Sequence, residues 1–142
     1  MKTVKTLVDT SVWSLALRRK GELLNSAEKP VVAELTELIK EGRAGIIGLI
    51  RQELLSGIKT AEQYEKLRGH LRSFPDEPVD TADHEDAAKA GNQCRAKGIA
   101  VSVVDALLCA VAIKRGWTIF TTDPDFKNYA TVLALKIHRP RK

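Results

Sequence analysis

Val4-Lys5-Thr6-Leu7-Val8-Asp9-Thr10-Ser11-Val12-Trp13 is a largely apolar run that breaks on an acid and two hydroxyls. A short β-favouring run bounded by polar turn formers reads as a buried strand. Val4–Val8 therefore predicts a first strand, with Asp9 at its carboxyl end. The pattern recurs along the chain. Glu53 follows the apolar run Gly45–Ile50, and Asp123 and Asp125 follow Trp117–Thr122. Asp105 opens a nearly uncharged helical stretch.

Helical patterns separate these runs. Val31, Leu35, Leu38 and Ile39 recur at i, i+4, i+7 and i+8, and Gly42 ends that helix. Further helices are expected over Val12–Arg19 (with Gly21 as breaker), Leu49–Ile58 and Ala61–Phe74. Another, capped by Asp80 or Thr81, runs to about Lys97, where Gly98 stops it. Ser102–Arg115 and the short Asp123–Asn128 complete the set. After the Pro75–Pro78 turn a short strand is open near Val79, and Val132–Ile137 reads as a last strand. Strands separated by helices need crossover connections, which give a mostly parallel sheet with helices on both faces. The expected fold is α/β: one three-layer α/β/α domain over residues 1–142 with a central, mostly parallel sheet.

The 142 residues are 44% hydrophobic and 29% charged, ordinary for a globular chain with a substantial core. No apolar stretch approaches the roughly 20 residues that span a bilayer. Met1-Lys2-Thr3-Val4-Lys5 leads directly into the first strand with no secretory h-region, so a cytoplasmic protein with no membrane partner is expected. Cys94 and Cys109 lack zinc or CxxC spacing and read as small buried hydrophobes. His70, His84 and His138 form no HExxH-type pair, which argues against zinc. The net charge of +5 and pI near 9.3 suit a polyanionic partner without requiring one. The basic residues crowd Arg18-Arg19-Lys20 and the tail Lys136, His138, Arg139, Arg141 and Lys142, away from the candidate acids. Acids inside and bases at the rim suit a nuclease, with Arg18, Arg19 and Lys20 as candidate RNA contacts.

Each acid also has a purely structural explanation. Asp9-Thr10-Ser11 can turn the chain out of a strand, Ser102 and Asp105 fit a helix N-cap and first turn, and Asp123-Pro124 fits another. Three observations weigh against caps alone. Asp105 is the only charge between Val103 and Ile113, so it faces a partner or a cavity. All the acids fall at one pole of the expected sheet, where doubly wound folds gather their functional groups. Hydroxyls accompany them: Thr10 and Ser11, Ser102, Thr121 and Thr122. Such groups can orient carboxylates or metal-bound water. A self-repelling acid cluster calls for a divalent cation.

Four motifs together carry a family resemblance: Val8-Asp9-Thr10-Ser11-Val12-Trp13, Glu53 after a short strand, Ser102-Val103-Val104-Asp105-Ala106-Leu107, and Thr121-Thr122-Asp123-Pro124-Asp125-Phe126. In this order and at these separations the chain resembles, over its whole length, the PIN-domain ribonucleases and within them the VapC-type toxins. The resemblance implies a Mg²⁺-dependent endoribonuclease, with Mn²⁺ able to substitute, and an acidic quartet of Asp9, Glu53, Asp105 and Asp123. Ser11 and Thr122 would be supporting hydroxyls, with Ser102 and Asp125 beside them. Asp9, Asp105 and Asp123 form the implied metal set. Asp9 and Asp105 are its direct ligands, while Glu53 and Asp123 work through water or orient the nucleophile. An RNA substrate, a VapB-like antitoxin and a homodimer are the implied partners, with Leu54, Leu55 and Ile58 available for self-association or for the core.

Other acid-pocket folds fit less well. A receiver domain needs a second acid beside Asp9 and an acceptor Asp after a third strand. The only Asp between Ile50 and Val79 is Asp76, in a proline-flanked turn. A haloacid-dehalogenase phosphatase needs DxDxT where Asp9-Thr10-Ser11 stands. An inactive RNA-binding or scaffold module on the same fold has no reason to keep four mutually repelling acids.

Overall fold

Strand β1 (Thr6–Val8) has all three side chains buried and is the middle strand of a parallel sheet in the order β2-β1-β3. The computed structural model describes residues 4–17 and 23–141. Arg18, Arg19, Lys20, Gly21 and Lys142 lie outside the described residues. Strand β2 (Ala44–Gly45) pairs Ala44 with Thr6, and β3 (Thr118–Phe120) pairs Phe120 with Val8. Single parallel bridges, Asp76 to Ile46 and Ile137 to Ile119, extend the sheet.

The chain leaves β1 for one edge through helices α1 (Thr10–Leu17) and α2 (Glu28–Lys40). From β2 it returns past β1 to the other edge through α3 (Gly48–Leu55), α4 (Ala61–Leu71), α5 (Thr81–Ala96) and α6 (Val103–Arg115). Parallel crossovers are right-handed, so these two helix groups fall on opposite faces and make three layers. The winding reverses at β1, which makes the crevice beyond the carboxyl ends of β1 and β3 the switch point. Helix α7 (Asp125–Tyr129) closes the segment after β3. The α/β expectation holds.

Helix α6 packs on β1 and β3, and α5 lies along it. Every residue from Ala106 to Ala112 is buried, as a stretch without charge requires. Ser102 caps its start by accepting from the Asp105 N–H at 3.0 Å. Gly116 ends it at φ 71°, a left-handed conformation that a Cβ disfavours. Cys94 and Cys109 are free and buried, and burial pushes both thiols up, away from thiolate chemistry. No helix among the described residues is long and apolar enough to cross a membrane.

Three local expectations change. The run Val132–Ile137 forms no strand. The Tyr129 carbonyl accepts from both Val132 and Leu133 N–H, so the chain stays coiled until Ile137 makes its one bridge. The edge contact expected near Val79 falls at Asp76 instead, beside the Glu77 N–H to Ile46 carbonyl bond. Helix α3 stops at Leu55, ahead of Ile58, because Gly57 takes φ 83°. Leu54 is wholly buried, so it serves the core, whereas Leu55 and Ile58 are only half-buried against it.

Two members of the basic tail, His138 and Arg141, are committed to architecture. His138 Nε2 and Arg141 Nε meet the buried Glu34 at 2.6 and 2.7 Å, and Arg141 also forks onto Glu41 at 2.9 and 3.0 Å. Burial would raise the Glu34 pKa, but these partners together hold it below the ordinary range. The His138 ring packs edge-on against Phe120 at 5.3 Å. A second such pair lies where α5 begins. Asp83 shares a capping box with Asp80 and accepts from Arg115 at 3.2 and 3.0 Å, with its side chain 1% exposed. The Arg115 guanidinium, opposed by burial, holds the Asp83 carboxyl well below the usual carboxylate range.

A depressed carboxylate stabilises the fold fully above its unfolded value, about pH 3.9, and loses that contribution as pH falls through the folded value. Asp83→Asn should therefore cost about 3 kcal/mol in urea unfolding at pH 7, as for one partner removed from a buried pair. The gap between variant and parent should narrow only below about pH 4. A gap that is constant from pH 7 to pH 3 would show that the charge itself is not what stabilises the helix start.

Candidate active site

The site is assembled at the switch point by hydroxyls that tie β1 to β3. The Asp9 N–H continues the ladder to the Phe120 carbonyl at 2.9 Å, leaving the Asp9 side chain at the sheet end and only 6% exposed. Ser11 Oγ and Thr121 Oγ1 each donate to Asp9 Oδ2 at 2.8 Å. The same hydroxyls accept from the backbone beyond β3, Ser11 from the Thr122 N–H and Thr121 from the Asp123 N–H, both at 3.0 Å. Each hydroxyl thus spends its proton on Asp9 and its lone pair on the strand end. Asp9 Oδ1 takes none of these bonds, and no buried side-chain oxygen among the described residues lacks a partner, so Oδ1 opens to the cleft.

The chain turns sharply after Asp9 because its own carbonyl accepts from the Val12 and Trp13 N–H groups. Trp13 Nε1 donates to the Val8 carbonyl at 3.0 Å, and its ring meets Phe74 at 5.0 Å, which pins α1 against the core. Thr10 then stands at the start of α1, where its Oγ1 donates to Glu53 Oε1 on α3 at 2.6 Å. Glu53 and Thr10 line a cavity of about 370 Å³ with Leu49, Gln52, Ser56 and Val104.

Asp105 sits in the first turn of α6 and is half-buried. Tyr129 on α7 donates its phenol to Asp105 Oδ2 at 2.7 Å. Burial pushes the Asp105 pKa up, the tyrosine bond opposes this, and the charges of Asp9, Asp123 and Glu53 push it up further. Coulomb coupling falls with separation, so Asp9, Asp123 and Glu53 all lie near Asp105, although the four come from distant segments. Tyr129, itself pushed up by burial and by its carboxylate acceptor, stays protonated as a donor. Asp123 accepts from the Asp125 N–H at 2.9 Å and so stands just before α7, with Pro124 in the N-cap position expected for Asp123.

None of the four acids has a cationic partner among the described residues; their hydrogen bonds come from hydroxyls and a backbone N–H. Some acids elsewhere are paired, as Asp76 is with Arg51 and Glu77 with Lys5. As placed, no three His, Cys, Asp or Glu side chains among the described residues close on a single point as a cation cage. Of the four acids, Glu53 lines the cavity described above. Of the accompanying residues, Ser11 touches Asp9, Ser102 caps the helix that carries Asp105, and Thr122 contributes its N–H. The threonine hydroxyl on Asp9 is that of Thr121. Asp125 lies one step out, where its charge bears on Tyr129. Sequence reasoning missed Tyr129, for which the only signal is a tyrosine four residues after Asp125 in an otherwise unpatterned segment.

The PIN domain family model matches residues 6–132. Ribonuclease VapC11 of Mycobacterium tuberculosis is 30% identical over 134 residues, covering 92% of this chain and 95% of that protein. Among solved structures, FitAcB from Neisseria gonorrhoeae superposes with a TM-score of 0.73 at 22% identity, covering 95% of this chain and 97% of the other. VapBC2 from Rickettsia felis, bound to a promoter DNA fragment, gives 0.73 at 16% identity over 95% and 98%. At these identities the structures speak for the fold, whereas the family model and the 30% relative speak for descent. The chain belongs to the PIN-domain family, and within it to the VapC ribonucleases.

Proposed function

We propose that this protein is a metal-dependent endoribonuclease that hydrolyses RNA phosphodiester bonds, acting as the toxin of a VapBC-type toxin–antitoxin pair. The observation that carries the reading is the nearness of Asp9, Glu53 and Asp123 to Asp105, four acids from four segments, held by hydroxyls and uncompensated by any described cation. A fold gains nothing in stability from such crowding; a polyanion-cleaving site needs it to hold a cation.

The donor set fits Mg²⁺, with Mn²⁺ as substitute: hard carboxylate oxygens, oriented by hydroxyls, with no thiolate or imidazole. Asp9, Asp105 and Asp123 would hold the ion. When bound, it supplies a nucleophile from water at neutral pH and stabilises the charge on the scissile phosphate. The protein's own contribution is orientation. Ser11 and Thr121 fix Asp9 so that Oδ1 points into the cleft, Tyr129 fixes Asp105, and Thr10 fixes Glu53 at the cavity wall. Glu53, aimed across the cleft, is the group placed to orient the attacking water. Of the two acids near α7, Asp123 is favoured as the fourth member, which its charge bearing on Asp105 beside those of Asp9 and Glu53 supports.

A cytoplasmic toxin of this kind is restrained by a VapB-like antitoxin, which fits best as a chain that covers the cleft and offers it a cation in place of the metal. A homodimer belongs to the same reading, with Leu55 and Ile58 available at the surface and Leu54 not. The Arg18-Arg19-Lys20 rim remains the proposed first contact for RNA phosphates.

Purified protein should cleave RNA with Mg²⁺ or Mn²⁺ and stop in EDTA. Asp9→Asn and Asp105→Asn should each lower kcat at least about 100-fold with the circular dichroism spectrum unchanged, and Thr121→Val about 10- to 100-fold. Full activity in EDTA would overturn the mechanism.

In the metal-free protein, removing one charge from the cluster should raise the melting temperature of Asp105→Asn, while Mg²⁺ should stabilise the parent more than the variant. Tyr129→Phe removes the bond that opposes the upward shift of Asp105. Its Mg²⁺ affinity should therefore begin to fall at a higher pH than the parent's as the solution is acidified. An unmoved pH profile would detach Tyr129 from the site.

Expression of the parent alone should arrest growth, and a partner encoded beside it should relieve the arrest. Equal arrest by Asp9→Asn would mean that toxicity is not catalytic.

A further inference from the structure

Three cavities adjoin one another along α3 and α4, each sharing lining residues with the next. The first, at Glu53, shares Gln52 and Ser56 with a second of about 340 Å³. The second shares Arg51, Leu55 and Tyr64 with a third of about 470 Å³, lined also by Arg68 and Arg72. Together they mark a trough from Glu53 to a basin holding three arginines against one aspartate, Asp76.

The basin's residues differ in how far they are committed. Arg51 is fixed: its guanidinium donates to Asp76 at 2.8 Å, to the Leu71 carbonyl at 2.9 Å and to the Phe74 carbonyl. It thereby offsets the negative end of α4 and leaves a rooted positive charge in the floor. Arg68 pairs with Glu65, but both are exposed, and such a surface pair is readily exchanged for a phosphate. Arg72 is exposed, and its side chain carries no hydrogen bond or ion pair among the described residues. Tyr64, Arg68 and Arg72 stand at i, i+4 and i+8, so they form a stripe along one face of α4, rising about 6 Å per step. Tyr64 is 37% exposed and presents a ring. The Gln52 side chain, at the junction of the first two cavities, makes no described hydrogen bond and offers both donor and acceptor to a base edge.

We propose that this trough is the track for the single-stranded RNA flanking the cleavage point, with Tyr64 stacking a base and Arg68 and Arg72 holding successive phosphates over the fixed charge of Arg51. An aromatic platform beside a cationic stripe is the chemistry that holds single strands without reading their sequence. The charge gradient gives it direction: the arginine end attracts the backbone, and the acid end accepts it only when a cation is present. The proposal rests on the ribonuclease reading and adds where the substrate lies.

The test uses the full chain with Asp9→Asn, so that RNA is bound and not consumed, and labelled oligouridylate of about four or about sixteen nucleotides. Fluorescence anisotropy against salt should show Arg68→Ala/Arg72→Ala binding the longer RNA about tenfold more weakly. Its salt slope should be shallower by about 1.4, two phosphate contacts at roughly 0.7 each. The four-nucleotide RNA should be unaffected, and Arg68→Lys/Arg72→Lys should keep the parent slope. Tyr64→Ala should lose about tenfold and Tyr64→Phe nothing, because the ring and not the phenol is used. With Asp9 restored, the double alanine variant should show raised KM and unchanged kcat. Unchanged affinity and slope in the alanine variant overturn the track. So does a shift in its sedimentation with RNA binding intact, which would assign the surface to self-association. These outcomes leave the ribonuclease reading standing, since that reading fails only if the parent protein neither binds nor cleaves RNA.

Discussion

Like charges gathered in a half-buried cleft repel one another, and the architecture around this site is arranged to resist that repulsion. The restraint is covalently cheap: two hydroxyls, each donating to Asp9 and accepting from the chain beyond β3. Because Asp9 Oδ2 is saturated by them, Asp9 cannot swing away from its neighbours. Thr10 on Glu53 and Tyr129 on Asp105 act in the same way. The acids are thus held by neutral donors, which keep their geometry without cancelling their charge. Arginines in those places would have given a more stable protein and a dead site.

The positive charges are distributed with equal consequence. A net charge of +5 suggests a basic face, yet His138 and Arg141 are spent on Glu34 and Glu41, and Arg115 on Asp83. Each pairing fastens a chain segment: the tail against α2, and the end of α6 against the start of α5. Arg51 does the same where α4 ends. For a polyanion, the location of the bases outside these pairs matters more than the sum.

Much of this was legible in the sequence because the responsible forces are local or periodic. Strand β1 and its acid, the α2 stripe, the Ser102 cap and the Gly116 stop follow from neighbours within a turn or two. The position of Asp9 at the carboxyl end of the central strand also followed, since the apolar run stops there. Contacts decided across the fold were not legible. Val132–Ile137 has strand composition, but the Tyr129 carbonyl holds it in a turn. Which threonine faces Asp9 depends on the twist with which the chain leaves β3, and adjacent Thr121 and Thr122 are indistinguishable in composition. Tyr129 reaches Asp105 from α7, a placement with no periodic signature. The tail read as loose charge because Glu34, its partner, lies 107 residues from Arg141.

The pairing of β1 with β3 joins residues 112 positions apart, and Thr121 reaches Asp9 across the same interval. Synthesis proceeds from the amino end at a finite pace, and a domain of this topology cannot close such a loop until its late segments have left the ribosome. Asp9 is therefore made 112 residues ahead of its threonine clamp, and it waits as well for its tyrosine-braced neighbour and for the sheet edge. The long sequence separation within the site acts as a delay, so the acid cluster takes shape only after the segment beyond β3 has been made.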